Sequence, residues 1–386
     1  MSSKRKVCVV ITARPSYSRI KSALAAIQCH PDLELQLVVT ASALLDRYGD
    51  ITKTILNDGF PIHARVFMVV EGETLLSSAK TTGFGLAELA TVFDNLKPDV
   101  VVTIADRYET MATAVAAAYM NIPLAHVQGG EVTGSIDEKV RHSITKLADL
   151  HLVSTGQARE RVVRMGEHPS SVHVTGCPSI DLATDILDRP ELDFDPHKKY
   201  GGVGAEIDLR KEYIVVMQHP VTTECGDARR QVEETLHAVT ESDLQALWFW
   251  PNIDAGSEQL ASGIRAFRER DGDRRVRFFK NMMPADFLRL LKNSRCIVGN
   301  SSVAIRECAF LGVPAVNIGT RQQGRERGRN VVDVANERGA ILEAIRRQSS
   351  RTDSVADPIY GDGHAGPRIA DVLAVAPLMF SKVIAY

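Results

Sequence analysis

Short apolar runs alternate with longer amphipathic segments along most of the chain. In the first half, the runs rich in valine, isoleucine and leucine lie at 7–11, 35–39, 66–70, 100–104, 124–127 and 150–153. The segments between them are long enough for helices, and several begin just after a polar or glycine-containing loop. This alternation predicts parallel strands joined by helices, which is the pattern of an α/β fold.

The alternation lapses once and then resumes in the second half of the chain. The stretch 188–204 is polar and contains proline and glycine, which is typical of a linker. Beyond it, apolar runs return at 213–217, 247–250, 276–279, 296–298 and 315–318. We therefore expect two Rossmann-like domains, 1–187 and 205–367, and a C-terminal helix over 368–386 that packs back on the first domain.

Composition agrees with two domains and narrows the choice of partner. A chain of 386 residues that is 44% hydrophobic can build two ordinary cores. Its 46 Lys and Arg residues nearly balance its 48 Asp and Glu residues, so the overall charge does not indicate nucleic acid or an anionic membrane as a partner. The six cysteines show no CxxC spacing, and the first residues lack an apolar signal segment. We expect a cytoplasmic protein without a nucleic-acid or membrane partner.

Two arginines stand close to the end of the first predicted strand. Arg14 lies in the loop that follows the strand, and Arg19 lies in the first turn of the next predicted helix, 17–28. A helix N-terminus already carries partial positive charge, so basic residues there need a reason, and a bound diphosphate would supply one. The alternative is a solvated arginine pair without a ligand.

Carboxylates follow two other predicted strands. Asp106 follows one strand, Glu131 follows the next, and Asp137 opens the helix after that. Neighbouring carboxylates shift one another's pKa values, which suits a site where one group removes a proton and another donates one. The alternative for Asp137 is a helix cap with an i, i+4 ion pair to Arg141.

In the second half, polar groups again follow strand-like runs. His219 comes directly after 213–217, where a histidine can contact a phosphate, although a lone histidine proves little. Ser301 and Ser302 follow 296–298, and Glu307 lies a turn or two further on. Hydroxyl and backbone N–H groups at such a position suit phosphate oxygens, and a glutamate there can accept ribose hydroxyls. The alternative is that the two serines only cap a helix.

A loop at 319–328 is dense in arginine and glycine, and includes Arg321. Its position leaves two interpretations open, an anion-facing loop and a mobile, solvated loop. The chain contains no GxGxxG, P-loop or HExxH motif and no paired cysteine and histidine set. We therefore expect no nicotinamide, ATP or zinc chemistry, and no cofactor or metal.

Several longer segments, taken together, resemble one known family. They read TARPSYSRI, ADRYET, GGEVTGSIDEKVRHSITKLADLHLVST, QHPVTT, WPNIDAGS, VGNSSVAIRECAFLGVPAVNIGTRQQGRERG and YGDG. In this order they resemble the hydrolysing UDP-N-acetylglucosamine 2-epimerases, a family that includes bacterial sialic-acid pathway enzymes and the epimerase half of the animal bifunctional epimerase/kinase. The likeness runs from about Lys6 to about Ile369.

The resemblance implies a fold, a reaction and an assembly. The fold would be two Rossmann-like domains in a GT-B arrangement, with the active site in the interdomain cleft. In such enzymes a base removes the proton at C2 of the sugar while UDP departs from C1, giving a glycal; water then adds at C1, and a proton returns to the other face of C2. No cofactor is involved, and the family suggests a homodimer or homotetramer.

The resemblance also assigns roles to individual positions. Arg14, Arg19 and His219 would face the diphosphate, and His219 would also assist catalysis. Other residues would hold or line the nucleotide site, namely Asn252, Ser301, Ser302, Glu307 and Arg321. Asp106, Glu131 and Asp137 match acidic positions proposed for proton transfer, and Gln128 and Arg141 would contact the sugar.

Gln128 is the one departure that bears on function. Animal members and non-hydrolysing relatives carry glutamate there, and glutamine cannot act as a base. The alternatives therefore stay open: a UDP- or GDP-linked 2,4-diacetamido-trideoxyhexose as substrate, a non-hydrolysing epimerase, a GT-B glycosyltransferase, or a binding protein without turnover. The carboxylates after the fourth and fifth predicted strands favour an epimerase over a transferase.

Overall fold

A computed structural model describes residues 4–45, 51–72, 74–105, 107–133, 136–251, 256–270, 275–353, 355–379 and 382–385. The chain forms two compact units. The first unit comprises Met1–Glu131, Asp137–Leu182 and Tyr360–Tyr386, and the second comprises Val132–Ile136 and Ala183–Ile359.

Parallel strands form the sheet of the first unit. Its strands are β1 (Arg5–Ile11), β2 (Leu33–Thr40), β3 (Ala64–Val66), β4 (Val100–Ile104), β5 (Leu124–Val127), β6 (Leu150–Val153) and β7 (Val172–Val174). Within the described residues they pair in the order β3-β2-β1-β4-β5-β6-β7. The central strands are buried on both faces, which explains why they are apolar without alternation. The strand order reverses between β1 and β4, so this is a doubly wound sheet.

Helices cover both faces of this sheet. They are α1 (Arg14–Cys29), α2 (Ile51–Asn57), α3 (Leu75–Leu96), α4 (Thr110–Tyr119), α5 (Asp137–Leu147) and α6 (Gly156–Arg164). The next helix, α7 (Pro178–Asp188), begins in the first unit and ends in the second. Two of these helices are preceded by threonine caps: Thr74 forms a capping box with Ser77 at the start of α3, and Thr155 caps α6.

The second unit repeats this plan. Its strands are β8 (Val203–Gly204), β9 (Tyr213–Met217), β10 (Gln245–Phe249), β11 (Val276–Phe279), β12 (Ile297–Gly299), β13 (Ala315–Ile318) and β14 (Val331–Val334). Its helices are α8 (Pro196–Tyr200), α9 (Ala228–Glu241), α10 (Ser257–Arg270), α11 (Pro284–Lys292), α12 (Glu307–Leu311) and α13 (Arg338–Ser349). The described strands pair in the order β14-β13-β12-β9-β10-β11-β8, with β8 antiparallel at the edge. The predicted α/β class with two Rossmann-like domains is therefore confirmed.

The stretch predicted as a linker, 188–204, contains regular structure. Asp195 accepts hydrogen bonds from the backbone N–H groups of His197 and Lys198, and so starts α8. β8 then pairs with β11 of the second unit. Its prolines and glycines therefore mark a helix start and a short edge strand.

The C-terminal helix is shorter than the predicted 368–386. It is α14 (Ala365–Val375), and it packs on α1. Asp181 accepts hydrogen bonds from the first two N–H groups of the helix, at 2.9 Å from Ala365 and 2.7 Å from Gly366. The helix ends because Ala376 precedes Pro377 and takes an extended conformation, with φ −59° and ψ 138°. Among the described helices, none is long and apolar enough to cross a membrane.

Candidate functional site

Ligands of doubly wound sheets bind at the carboxyl ends of the strands, where the strand order reverses. In the first unit this point lies between β1 and β4. Arg14 is the first residue of α1, which follows β1, and Arg19 lies in the same helix; both side chains are partly buried. The first turn of α1 contains no acidic residue. The helix begins at Arg14, earlier than predicted, so Arg14 lies at the helix N-terminus but Arg19 lies in the second turn and not in the first. Contact of the two arginines with a diphosphate stays a prediction.

The turns after β4 and β5 share an unusual backbone conformation. Ala105 has φ +65° and Gln128 has φ +67°, in the left-handed region that glycine favours. The two turns are adjacent, because Ala105 N–H donates to Val127 O at 3.0 Å. Such strain costs of order 1–3 kcal/mol per residue and clusters at functional sites. Asp106, the predicted acid or base that follows Ala105, lies outside the described residues.

A buried histidine connects these turns to α5. His126 Nε2 lies 2.9 Å from Ala105 O, and its Nδ1 lies 3.2 Å from Thr145 Oγ1. Burial lowers the pKa of His126 to about 4, so the ring is neutral at pH 7. A Cβ on Gly129 would lie 2.9 Å from His126 Nδ1, which explains the glycine. His126 was not among the predicted site residues, although a polar residue inside the apolar run Leu124–Val127 was a usable signal.

Glu131 is held in place from two sides. Its side chain is 1% exposed, and its Oε1 accepts a hydrogen bond of 3.0 Å from Ser154 Oγ at the end of β6. Its backbone carbonyl accepts a hydrogen bond of 3.0 Å from Arg141 Nη1. Ser154 was not among the predicted site residues, and nothing local in the sequence marks it as a partner of Glu131.

The first turns of α5 carry further charged groups. Asp137 is the first residue of the helix and is partly buried, and carboxylates in that position are stabilised by the helix dipole. Arg141 is buried, and its Nη1 lies 3.0 Å from Glu138 Oε2, an i, i+3 pair. Because Arg141 contacts both Glu138 and the backbone of Glu131, it joins the start of α5 to the turn that carries Glu131.

In the second unit, one asparagine bridges the point where the strand order reverses. His219 N–H donates to Asn300 Oδ1 at 2.7 Å, and Asn300 Nδ2 donates to His219 O at 2.8 Å. The strands approach so closely that a Cβ on Gly299 would lie 2.1 Å from Met217 O. The loops that carry His219 and Ser301 are thereby held together.

Ser301 and Glu307 differ in what they contact. Ser301 caps the short turn that follows it, because its Oγ accepts from Val303 N–H at 3.4 Å, as the capping interpretation of this serine requires. Ser302 begins that turn. Glu307 is the first residue of α12, and its Oε2 is buried without a hydrogen-bond partner among the described residues. A buried carboxylate oxygen in this state is costly and is typically satisfied by a ligand, an ion or water.

The arginine-rich loop 319–328 is anchored to the same place. Arg321 Nη1 donates to Asn300 O at 3.2 Å, and Gln322 Nε2 donates to the same oxygen at 2.9 Å. Thr320 also hydrogen-bonds Glu224. The interpretation of a mobile, solvated loop is therefore wrong at its start. Asn252, predicted to line the nucleotide site, lies outside the described residues.

Titratable side chains in the described residues form no cluster of three or more that could hold a metal ion.

Comparisons with known proteins give a consistent result. Residues 25–374 match the protein family described as UDP-N-acetylglucosamine 2-epimerase. A Legionella pneumophila protein named UDP-N,N'-diacetylbacillosamine 2-epimerase (hydrolyzing) is 32% identical over 374 residues, which cover 97% of each chain. A Neisseria meningitidis protein named UDP-N-acetylglucosamine 2-epimerase is 32% identical over 362 residues, which cover 93% of this chain and 91% of that protein.

A solved structure shares the fold. It is that of Methanocaldococcus jannaschii UDP-GlcNAc 2-epimerase in complex with UDP-GlcNAc and UDP, with a TM-score of 0.78. The match is 18% identical in sequence and covers 95% of this chain and 99% of that one. At this identity the likeness shows the fold alone.

Proposed function

Because this chain belongs to the UDP-N-acetylglucosamine 2-epimerase family, we propose that it is a hydrolysing 2-epimerase. It converts UDP-N-acetylglucosamine and water into UDP and free N-acetylmannosamine, a sugar suited to sialic acid, nonulosonate or surface-glycan synthesis. The Legionella relative, which matches over nearly the whole chain, carries the word hydrolyzing in its name. The assembly is proposed to be a homodimer or homotetramer, as the resemblance suggests.

The reaction needs two proton transfers at C2 of the sugar. One group removes the C2 proton while the bond between C1 and the UDP oxygen breaks, which leaves a double bond between C1 and C2. Water then adds its oxygen at C1, and a second group returns a proton to the opposite face of C2. General acids and bases of this kind contribute about 10²- to 10⁴-fold each. Asp106, Glu131 and Asp137 are the candidates for these transfers.

The observation that carries the proposal is the group of carboxylates at the carboxyl ends of the strands in the first sheet. Arg141 joins the Glu131 turn to α5, which Asp137 opens, so two of the candidate carboxylates belong to connected segments. The neighbouring turns are strained, as expected where a fold is shaped for chemistry. A glycosyltransferase that only binds a nucleotide sugar and an acceptor has no need of proton transfer at C2.

Nucleotide binding is proposed for the second unit and for the start of α1. Glu307 has a buried carboxylate oxygen available for ribose hydroxyls, and Ser301, Ser302 and Arg321 lie around the same turn as Asn300. His219, Arg14 and Arg19 are proposed to stabilise the charge on departing UDP. Asn252 completes the proposed set, and Gln128 and Arg141 are proposed to contact the sugar.

A second substrate is favoured by one specific observation. The Legionella relative is named for UDP-N,N'-diacetylbacillosamine, a 2,4-diacetamido sugar nucleotide, at the same identity as the Neisseria relative named for UDP-N-acetylglucosamine. The chemistry at C2 is the same for both sugars. The two candidates therefore differ only in what the protein contacts around C4 and C6.

The test is incubation of the purified protein with UDP-N-acetylglucosamine in deuterated water, followed by proton NMR. We expect free N-acetylmannosamine with deuterium at C2, together with UDP. A UDP-linked epimer instead of free sugar would indicate the non-hydrolysing reaction. If this substrate is inert, the UDP- and GDP-linked 2,4-diacetamido sugars are tested next. Turnover that requires an acceptor would indicate a transferase, and binding of UDP without any turnover would contradict an enzymatic role.

A further inference from the structure

In the side-chain amide of Gln128, the nitrogen makes a hydrogen bond and the oxygen makes none among the described residues. The residue follows β5, has φ +67° and is 1% exposed. Its Nε2 donates to Cys177 Sγ at 2.9 Å. Its Oε1 is buried without a hydrogen-bond partner among the described residues. Within the described residues the same state is shared by the side-chain oxygens of Gln36, Gln218, Asn317, Gln322 and Asn330, so the location of Gln128 has to identify its partner.

The sulfur that anchors Gln128 is itself fixed by two backbone segments. Cys177 N–H donates to Tyr360 O at 2.8 Å. The glycine before it, Gly176, has φ +86°, a backbone conformation that L side chains rarely adopt, and it lies next to Gly361. The backbone position of Cys177 is therefore set by main-chain contacts rather than by the glutamine.

Cys177 Sγ contacts two polar side chains, those of Gln128 and Ser179. Cys177 Sγ lies 3.0 Å from Ser179 Oγ. Either atom of that pair can be the donor, and the sulfur accepts from Gln128 Nε2 in both cases. The amide nitrogen is thereby held at the sulfur, and the carbonyl oxygen is turned away from it.

The location of Gln128 points to the sugar as the missing partner. Gln128 stands at the carboxyl end of β5, beside the strained turn at Ala105 and three residues before Glu131. We propose that Gln128 is a specificity-determining residue whose side-chain carbonyl accepts a hydrogen bond from a hydroxyl or amide N–H of the sugar, and that Cys177 is the positioning residue that orients it. This inference rests on the proposed function, since it takes a nucleotide sugar as the ligand.

A glutamine acceptor has a definite consequence for specificity. It keeps its hydrogen-bonding character at every pH, whereas a carboxylate at the same place would exchange protons with the sugar. A ligand that lacks the matching donor leaves the buried carbonyl unsatisfied and is rejected. Gln128 therefore selects among sugars without taking part in proton transfer.

The test compares the effect of each substrate analogue in the native protein with its effect in each variant, as in a double-mutant cycle. kcat/KM is measured for UDP-N-acetylglucosamine, for its 3-deoxy, 4-deoxy and 6-deoxy analogues, and for the analogue with an ester oxygen in place of the acetamido N–H. If the 2,4-diacetamido sugar is the true substrate, the corresponding analogues of that sugar are used. In the native protein we expect kcat/KM to fall roughly 10- to 100-fold for one analogue, the one that lacks the group donating to Gln128.

Gln128→Met keeps the length of the side chain but removes both polar atoms. With the parent substrate, kcat/KM of Gln128→Met should be lower than that of the native protein by the factor that the sensitive analogue loses in the native protein. With that analogue, kcat/KM of Gln128→Met should show no further loss, while the other analogues behave as in the native protein. Equal relative losses in the native protein and in Gln128→Met for every analogue would overturn the proposal. Gln36→Met is the matched control, because Gln36 in β2 is also buried and donates through Nε2 to Leu96 O at 3.0 Å. It should leave every ratio unchanged.

Two further measurements separate Cys177 from a purely structural role. Cys177→Ala should relax discrimination against the sensitive analogue, and Cys177→Ser, which still accepts and donates, should restore it. Full discrimination in Cys177→Ala would contradict the positioning role. The same cycle is run on dissociation constants, with UDP alone as the control ligand that lacks the sugar. If no nucleotide sugar is turned over, the proposed reaction fails, but the binding cycle still decides the role of Gln128.

Discussion

In both sheets the parallel strands around the reversal point follow the same order. The carboxyl ends of the strands in the first and second units, here called the first edge and the second edge, nevertheless present different chemistry. The first edge carries Glu131 and, at the start of α5, Asp137 and Glu138. The second edge is organised by Asn300, with amides, hydroxyls and backbone groups around it. The same scaffold can therefore supply proton transfer in one unit and fixed hydrogen-bonding groups in the other.

The two edges are also held together by different means. At the first edge, two left-handed turns and a neutral, buried His126 fix the loops. At the second edge, the reciprocal pair between His219 and Asn300 does so without backbone strain at either residue. We infer that the first edge stores strain where reacting groups must be placed accurately, and that the second provides a rigid surface for a nucleotide.

The largest expected effect concerns proton transfer at the first edge. Glu131→Gln keeps the shape of the side chain and removes its capacity to exchange a proton, so we expect kcat to fall by about 10²- to 10⁴-fold. The dissociation constant for UDP, measured by calorimetry, should stay the same. Glu160→Gln on the exposed face of α6 is the control and should leave kcat unchanged. If Glu131→Gln strongly changed the dissociation constant for UDP, the division into proton transfer at the first edge and nucleotide binding at the second would be contradicted.

The next effect concerns the bridge at the second edge. Asn300→Ala leaves the buried N–H and C=O groups of His219 without their partner, so the free energy of unfolding should fall by about 2–4 kcal/mol. Urea denaturation measures this, and UDP binding should weaken in the folded fraction. Asn293→Ala removes an exposed asparagine with two hydrogen bonds and should cost only a few tenths of a kcal/mol. Equal costs for the two variants would contradict a bridging role for Asn300.

A third prediction uses pH to probe the first edge. Burial lowers the pKa of His126 from 6.5 to about 4 in the folded protein. Above pH 6.5 both states are neutral, but below it the unfolded chain takes up the proton first, so stability is lost as the pH falls toward 4. Between pH 7 and pH 5 the native protein should lose about 2 kcal/mol more unfolding free energy than His126→Asn. Parallel pH profiles would show that His126 does not titrate in this way.

Glu167 titrates in a different pH range from His126. Burial raises its pKa, but hydrogen bonds from His151, Lys146 and Lys382 lower it more, to about 2. Its contribution to stability is therefore lost only as the pH falls from about 4.5 toward 2, below the range used for His126.

The smallest expected effect concerns the ribose contact at the second edge. Glu307→Gln removes the negative charge from the buried oxygen and should weaken UDP binding about 10-fold, since hydrogen bonds to charged groups contribute about 1.5–3 kcal/mol. kcat at saturating substrate should change little. The exposed Glu343 on α13 offers the control variant Glu343→Gln. Unchanged UDP affinity in Glu307→Gln would remove Glu307 from the proposed nucleotide site.

Much of the fold follows from local patterns. The buried parallel strands read as apolar runs because both faces are covered, and Arg14, His219 and Ser301 were located because each follows such a run. Two predictions failed for local reasons. Pro377 ended the C-terminal helix, and Asp195 with Pro196 started α8 inside the supposed linker.

The contacts that shape the candidate site could not be predicted in the same way. His219 and Asn300 are 81 positions apart, Glu131 and Ser154 are 23 apart, and Gln128 and Cys177 are 49 apart. Each pair depends on which strands become neighbours, and no single stretch of sequence records that. The left-handed turns at Ala105 and Gln128 were also hidden, because neither residue is glycine or asparagine.

The division of roles between the two edges is tested most directly by the rate of deuterium incorporation at C2. It is measured by NMR at saturating nucleotide sugar for the native protein, Glu131→Gln and Glu307→Gln. We predict that Glu307→Gln incorporates deuterium at close to the native rate and that Glu131→Gln is slower by about 10²-fold or more. Equal rates in the two variants, or a larger loss in Glu307→Gln, would contradict this division of roles.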